Sequence, residues 1–491
     1  MRVPVVLHLV GLLVRLFSAA FLAPLLVALI YDERYDAAGF ALAAAVSFTA
    51  GHLMRRAAEE PTDVNRVEGM AIVAGTWLLV ALAGAIPYVW VAVPVIDAVF
   101  ESMSGLTTTG ATMFEDFSRY GHGVFFWRSL SQWLGGLGVI ALFVAVLPRL
   151  AIAGRQLFFA EAAGPTDEKL TPQIRRTAAA LWLVYAGLTA AETIVLNLVG
   201  MTWFDAACHA FTTLAAGGFS PHPQSIMGYN SAAIEWTIIV FMFLAGANFA
   251  LQVRWFRGEL AAPLRDEEFR AYTGITALFA GLGVIFLMQQ GLGGADAIRT
   301  SLFQVISILT TTGFASVDFQ LWSDQGRMLL LVLMFIGGSA GSAAGGPKIV
   351  RHVLIGRYTR HELKRVLHPR AVLPVKLGGR TVPDDVMRAV LVFFLFYLLV
   401  FAICTFVVAS LGAGLMTALT ASIATLGNIG PGLDEVGPMA HYAHFHPISK
   451  IVLTAAMWIG RLEVVTVLAI LRPEIWRTAR WDEGAAALAV R

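Results

Sequence analysis

The sequence predicts an all-α polytopic membrane protein in which four helix–pore-loop–helix repeats surround one pore and an N-terminal two-helix hairpin is added to them. Three observations carry the prediction. The 491 residues are 57% hydrophobic and only 14% charged, with mean hydropathy +0.71, far more apolar than the surface of a soluble protein of this size permits. Ten stretches, at 5–30, 37–54, 68–94, 123–147, 177–201, 231–253, 271–291, 326–350, 386–412 and 449–471, approach the length of roughly 20 apolar residues that crosses a bilayer. One pattern, leucine and small or polar residues leading to glycine, is written four times, as LTTTGAT at 106–112, LAAGGFS at 214–220, LTTTGFA at 309–315 and LGNIGPG at 426–432.

The first stretch is longer than the apolar part of a signal peptide and has no clear small-residue cleavage site, so it reads as a span. With the second it forms a hairpin closed by the polar turn YDERYD. The other eight pair, because a shorter apolar segment carrying one glycine motif lies between the members of each pair. This divides the chain into the hairpin at 1–60 and repeats at 61–150, 151–260, 261–355 and 356–491, the last including a cytoplasmic linker and the C-terminus.

Basic residues set the orientation. With the N-terminus in the cytoplasm, the loops at 55–66, 149–176, 254–270, 348–380 and 472–491 hold 25 of the 35 Lys and Arg, whereas the opposite loops hold Arg34, Arg119, Arg128, Arg299, Arg327 and Lys450. All four glycine motifs then lie toward the outside.

Thirteen positions before the aligned glycines Gly110, Gly218, Gly313 and Gly430 stand Asp97, Asp205, Thr300 and Thr417. Aspartate and threonine are N-cap formers, so each motif is expected to end a capped helix of about ten residues and about 15 Å, half the hydrocarbon thickness. Non-helical backbone is tolerated at that depth only where protein or a water-filled path surrounds it. Four such segments around one axis make a ring of helix C-termini and carbonyl oxygens suited to a desolvated monovalent cation. The candidate ligands are Thr108, Thr109 and Gly110, then Ala216, Gly217 and Gly218, then Thr311, Thr312 and Gly313, and finally Asn428, Ile429 and Gly430.

A second repeat follows in the later span of each unit, WLGGLG at 133–138, FLAGAN at 243–248, FIGGSA at 335–340 and WIGRLE at 458–463. Its fourth position is Gly136, Gly246, Gly338 and Arg461, so arginine stands where three units have glycine. A charge within a span marks function by default, and Arg461 is expected to face the ion path below the ring. The third unit continues as GSAAGGPKIVR. Gly337, Gly338, Gly341, Gly345 and Gly346 with Pro347 predict an unwound loop there, including Ser339, Ser342 and Lys348. Beneath the ring, such a loop would obstruct ions and move aside as a gate, its carbonyls and the Ser339 or Ser342 hydroxyls within reach of the Arg461 guanidinium.

These motifs together resemble the TrkH branch of the TrkH/KtrB potassium-translocating superfamily over nearly the whole chain, and the extra hairpin at 5–54 resembles TrkH and not the shorter KtrB proteins. The resemblance implies potassium uptake across the inner membrane of a prokaryote, with potassium as the transported ligand and no covalent cofactor. It also implies Gly337 to Gly346 as the gating loop, Arg461 as the basic residue beneath the filter, a homodimer, and a cytoplasmic nucleotide-binding ring, TrkA, as partner. The second motif departs from the pattern, reading AAGG where relatives often carry hydroxyls.

Other chemistry is sparse. His441, His444 and His446 crowd one outer loop without a defined ligand spacing, and the basic segment 348–370 fits positive-inside topology, anionic lipid or an acidic partner. Cys208 and Cys404 lie in apolar stretches. No nucleophile triad, metal spacing or phosphate loop appears, so neither an enzyme nor a nucleic-acid partner is expected. Two alternatives to a gated channel stay open: an ion-coupled symporter, for which Glu192 and Glu235 are the intramembrane carboxylates, and the potassium-binding subunit of an ATP-driven pump.

Overall fold

The computed structural model describes residues 1–57, 64–145, 170–368, 374–464 and 467. Among them six helices are long and apolar enough to cross a membrane, seven when a pair bent by 105° is taken as one span. The chain opens with α1 (Val3–Phe17) and α2 (Leu22–Ile30), a single span interrupted by a tight turn at Ser18–Phe21, and returns as α3 (Arg34–Arg56). Gly11 and Gly51 let the two backbones touch, since a Cβ on Gly51 would lie 2.5 Å from the Arg15 nitrogen. Small residues permit such contact in lipid, where apolar burial supplies no drive for helices to associate. The hairpin is seated on the rest of the chain by Phe21, whose ring centroid is 4.6 Å from that of Trp127, and by Glu33, whose carboxylate accepts from the N–H groups of His122 (2.7 Å) and Gly123 (2.9 Å). Those N–H groups begin a helix and have no partner within it.

The remainder is a unit of long helix, short helix and second span, written four times. The first unit is α4 (Arg66–Trp90), α5 (Val95–Leu106) and α6 (His122–Ala145). In the second, α7 (Leu170–Leu198) and α8 (Trp203–Leu214) precede α9 (Ala232–Ala245), which bends into α10 (Phe249–Phe256). The third holds α11 (Glu267–Gln289), α12 (Gly294–Leu309) and α13 (Asp324–Leu333), an unwound stretch, and α14 (Ile349–Leu367). A two-stranded ribbon, Lys376–Leu377 with Arg380–Thr381, leads to the fourth: α15 (Asp384–Ser410), α16 (Leu415–Leu426) and α17 (Pro447–Arg461).

The four residues expected as N-caps lie inside the short helices. Asp97, Asp205 and Thr417 are three residues past the actual caps Pro94, Thr202 and Gly414, and Thr300 is in the second turn of a helix capped by Gly293. The helices all end four residues before the aligned glycines, at Leu106, Leu214, Leu309 and Leu426, but are longer than expected, at 12, 12, 16 and 12 residues. Aspartate remains favourable there because the first turn carries positive partial charge.

The stretch 231–253 is not the single straight span that its apolar length predicts. It turns by 105° where Asn248 caps α10 by accepting from the Ala250 N–H at 2.8 Å. Gln252 Nε2 reaches back to the carbonyls of Leu244 (2.7 Å) and Ala247 (3.3 Å), supplying donors that the break removes. Among the basic residues assigned to outer loops, Arg128 and Lys450 are instead buried within helices, 1% and 7% exposed. Ion pairs join consecutive units, Arg299 Nε to Glu235 at 2.8 Å between the third and second, and Lys450 Nζ to Asp97 at 2.6 Å between the fourth and first.

Candidate ion-binding site

Each short helix ends in the same hydrogen-bonded hook. After α5, the Thr109 N–H donates to Ser104 O (2.8 Å) and Thr108 N–H to Gly105 O (3.0 Å). After α8 the pairs are Gly217 to Thr212 (2.8 Å) and Ala216 to Thr213 (2.9 Å), after α12 Thr312 to Ser307 (2.8 Å) and Thr311 to Ile308 (3.1 Å), and after α16 Ile429 to Ala424 (2.8 Å) and Asn428 to Thr425 (3.2 Å). This crossed pair of bonds ends a helix through one left-handed residue, most often glycine. Here Thr108, Ala216, Thr311 and Asn428 hold that position, with φ of 52°, 54°, 57° and 54°. For residues with a Cβ other than asparagine, left-handed backbone costs about 1–2 kcal/mol. Two residues later Gly110, Gly218, Gly313 and Gly430 are left-handed again, at 84°, 76°, 81° and 97°.

The four hooks close into a ring. A Cβ on Gly110 would lie 2.1 Å from the carbonyl oxygen of Gly217, one on Gly218 2.0 Å from that of Thr312, one on Gly313 2.1 Å from that of Ile429, and one on Gly430 2.6 Å from that of Thr109. The contacts run from the first unit to the second, third and fourth and back to the first. A side chain at any of these glycines displaces a neighbouring carbonyl, so the ring is made of backbone. All twelve expected ligand residues come together here, the helix C-termini with their partial negative charge converging on it.

Side chains brace the ring from behind. In the first and third hooks hydroxyls pair across the turn, Thr107 with Thr109 (2.7 Å) and Thr310 with Thr312 (2.8 Å). In the second, Gln132 of α6 donates from Nε2 to Gly217 O (2.7 Å) and accepts from Phe219 N–H (3.1 Å). In the fourth, Asn428 Nδ2 reaches Thr109 Oγ1 (3.0 Å), and Tyr442 OH donates to Gly430 O (2.8 Å). Behind the first two hooks Arg128 Nε binds Glu101 at 2.8 Å, both buried, while Glu101 also accepts from Met113 N–H (2.7 Å) and Arg128 donates to Ser220 O (3.2 Å). The guanidinium carbon of Arg128 lies 4.0 Å from the Phe219 ring centroid and 4.8 Å from that of Phe114.

The unwound stretch after α13 lies against this ring. Gly337, Gly341 and Gly346 are left-handed (φ 80°, 73° and 69°), as is Lys348 (74°), whose Nζ bonds to Ala344 O. Gly345 N–H donates to Thr311 Oγ1 at 2.6 Å, and a Cβ on Gly345 would lie 2.4 Å from Gly427 O. The loop is also stitched to the break in the second unit: Ser339 N–H to Gly246 O (3.0 Å), Ala343 N–H to Ala245 O (3.3 Å) and Phe249 N–H to Gly341 O (3.0 Å). Each break thus satisfies the backbone groups the other exposes. Glu268, at the start of α11, accepts from Ala340 N–H (2.7 Å) and Val350 N–H (3.2 Å) across the loop.

Arg461 is 6% exposed and its Nη1 donates to Ala343 O at 3.0 Å, while its Nε and Nη2 have no hydrogen-bond partner among the described residues. The expected contacts to the loop serines do not form. Ser342 Oγ donates to Ser339 O at 2.6 Å, and Ser339 Oγ is unpartnered among the described residues. The histidine loop gathers no metal-holding cluster among the described residues.

Sequence reading missed Gln132, Glu268 and the Arg128–Glu101 pair. Burial of Arg128 was foreseeable, because it lies in the apolar run 123–147 and not beyond it.

The chain matches the TrkH cation transport protein family over residues 38–271 and 288–477. It is 40% identical over 482 residues to the Trk system potassium uptake protein TrkH of Vibrio parahaemolyticus, an overlap covering 96% of this chain and 99% of that one. It is 38% identical over 480 residues to the protein of that name from Salmonella typhimurium, covering 96% and 98%. The crystal structure of the potassium transporter TrkH from Vibrio parahaemolyticus matches at TM-score 0.89 and 37% identity, over 97% of this chain and 100% of that chain. With the family's match and these relatives spanning nearly its full length, the chain belongs to the TrkH family of cation transport proteins.

Proposed function

We propose that this protein takes up potassium through the ring, which acts as a selectivity filter. The observation that carries the reading is the closed cycle of glycine-to-carbonyl contacts running from Gly110 through Gly218 and Gly313 to Gly430. Carbonyl oxygens of a filter replace the hydration shell of a cation, and the potassium uptake role named for its relatives supports potassium as that cation. The loop from Gly337 to Lys348 and Arg461 form a gate beneath it: the loop obstructs the path and the guanidinium adds a positive charge to it. The four units, divided as the sequence reading divides them, each supply one quarter of the filter. The N-terminus is cytoplasmic and the membrane is the inner membrane of a prokaryote, in keeping with the basic residues of the inward loops. We further infer a homodimer with one ion path per subunit, opened by a TrkA-like nucleotide-binding ring docked on the cytoplasmic loops. The test is potassium uptake in cells stripped of their own potassium transporters. Growth on low potassium with this gene and none without it is expected, and equal growth in both overturns the reading.

Coupled transport is the second reading, favoured by Glu192. It is fully buried in α7 beside the Thr213 side chain and has no ion-pair partner among the described residues. Glu235 does not add to it, being paired with Arg299. Potassium flux into liposomes under an opposed proton gradient separates the readings. Flux that follows the potassium gradient alone, unchanged in Glu192→Gln, supports the channel, and proton-driven accumulation lost in that variant supports coupling.

A further inference from the structure

The second hook lacks the hydroxyls that brace the first and third. The positions filled by Thr107 and Thr109, and by Thr310 and Thr312, are Ala215 and Gly217 in this hook. The fourth hook also lacks the hydroxyl pair but carries its own polar side chain, Asn428, which donates to Thr109 Oγ1 and to Met457 O, both at 3.0 Å. The second hook has nothing polar of its own at Ala215, Ala216 or Gly217.

What fills that place comes from the preceding unit. Four residues before the aligned positions Gly136, Gly246, Gly338 and Arg461 stand Gln132, Met242, Met334 and Met457, all fully buried. Three units carry methionine, and the unit whose second span faces the deficient hook carries glutamine. Its amide spans Gly218, donating to the carbonyl before it and accepting from the N–H after it, at 2.7 and 3.1 Å. A carbonyl must face the NH2 and an N–H must face the oxygen, so the two partners fix the orientation of the amide. It also occupies the space vacated at Gly217, where a Cβ would lie 2.4 Å from Gln132 Oε1.

We propose that Gln132 is a positioning residue for ion selectivity, a brace lent by the first unit to the second hook in place of that hook's missing hydroxyls. The proposal rests on the reading of the ring as the selectivity filter. Glycine at 217 and glutamine at 132 are then one compensated pair, and methionine at 132 becomes tolerable only when hydroxyls return to the second hook. Room for a threonine at 215 is indicated by the third unit, where Thr310 faces Gly246 as Ala215 faces Gly136.

The test is the potassium-to-sodium permeability ratio, read as a reversal potential from purified protein in planar bilayers. Gln132→Met, close in volume, is expected to lower the ratio severalfold with sodium current rising. Adding Ala215→Thr and Gly217→Thr to it is expected to restore most of the loss, which a purely space-filling role would not produce. An unchanged ratio in Gln132→Met, or no recovery in the triple variant, overturns the proposal. Should Gln132→Met not accumulate as folded protein, Gln132→Glu keeps the shape and the acceptor but loses the donor, and a wild-type ratio there overturns it equally. Gly110→Ser is measured alongside. Loss of selectivity in Gly110→Ser with a wild-type ratio in Gln132→Met removes the brace and leaves the filter standing, whereas wild-type ratios in both remove the filter reading itself.

Discussion

Arg461 Nη1 donates to the carbonyl of Ala343 at 3.0 Å, tying the last residue of α17 to the middle of the unwound loop while two other guanidinium nitrogens stay unpartnered among the described residues. A hydrogen bond from a charged group contributes about 1.5–3 kcal/mol net, and about 1.4 kcal/mol is tenfold in an equilibrium. If the pair holds the closed state, Arg461→Ala shifts the gate toward open by about tenfold or more. Potassium flux into liposomes without any added partner should rise accordingly, and unchanged flux from well-folded protein would separate Arg461 from the gate.

Thr311 belongs to the ring and also holds the unwound loop, since its Oγ1 accepts from Gly345 N–H at 2.6 Å. Thr311→Ala removes the acceptor and leaves a buried donor unpaired, while Thr311→Ser keeps it. Basal flux is expected to increase in the alanine variant by about fivefold to tenfold, corresponding to about 1–1.5 kcal/mol, and to stay near wild type in the serine variant. Equal behaviour of the two would show that this contact does not hold the loop.

The two contacts act on one loop, so their effects should not add. Thr311→Ala with Arg461→Ala is expected to gain less flux than the product of the single gains, because residues sharing one state couple. A strictly multiplicative double variant would place them on separate gates.

Arg128 and Glu101 make the sharpest stability prediction. Both are buried, and removing one partner strands the other as an uncompensated charge, at a cost of about 3–5 kcal/mol. Arg128→Met should lower the thermal unfolding midpoint in detergent, and Arg128→Met with Glu101→Gln should recover part of the loss. A midpoint within a degree or so of wild type for Arg128→Met alone would mean the pair is not holding the segments that follow the first two hooks.

Much of this arrangement is legible in the sequence because it is written four times. Aligning Gly110, Gly218, Gly313 and Gly430 located the short helices, the hooks and the ring. The glycines of 337–346 announced the loop, since no span keeps helical geometry through that density of glycine and proline. Other features were less visible for definite reasons. The bend at Gly246–Asn248 hangs on one glycine and one capping residue, a signal compatible with an unbroken helix, and it is stabilised by a loop about ninety residues away. Glu268 serves a segment far off in the chain, at Ala340, so no local spacing reports it, whereas Gln132 stands out only when the four units are aligned and the other three show methionine at its position. Helix starts differ from expectation because Asp97 and Asp205 favour the first turn as well as the cap, while the Thr417 hydroxyl donates to Asp434 at 2.7 Å and caps nothing.

The central claim, that the ring selects potassium with its backbone, is tested most directly by the reversal potential of purified protein in a planar bilayer with potassium chloride on one side and sodium chloride on the other. A Cβ on Gly110 would lie 2.1 Å from Gly217 O in a left-handed residue, so Gly110→Ser must move a carbonyl of the ring. The account predicts a wild-type bi-ionic reversal potential far from zero, with the sign of potassium selectivity, and a shift toward zero in Gly110→Ser, as sodium is admitted. A variant that still conducts with the wild-type reversal potential would contradict it.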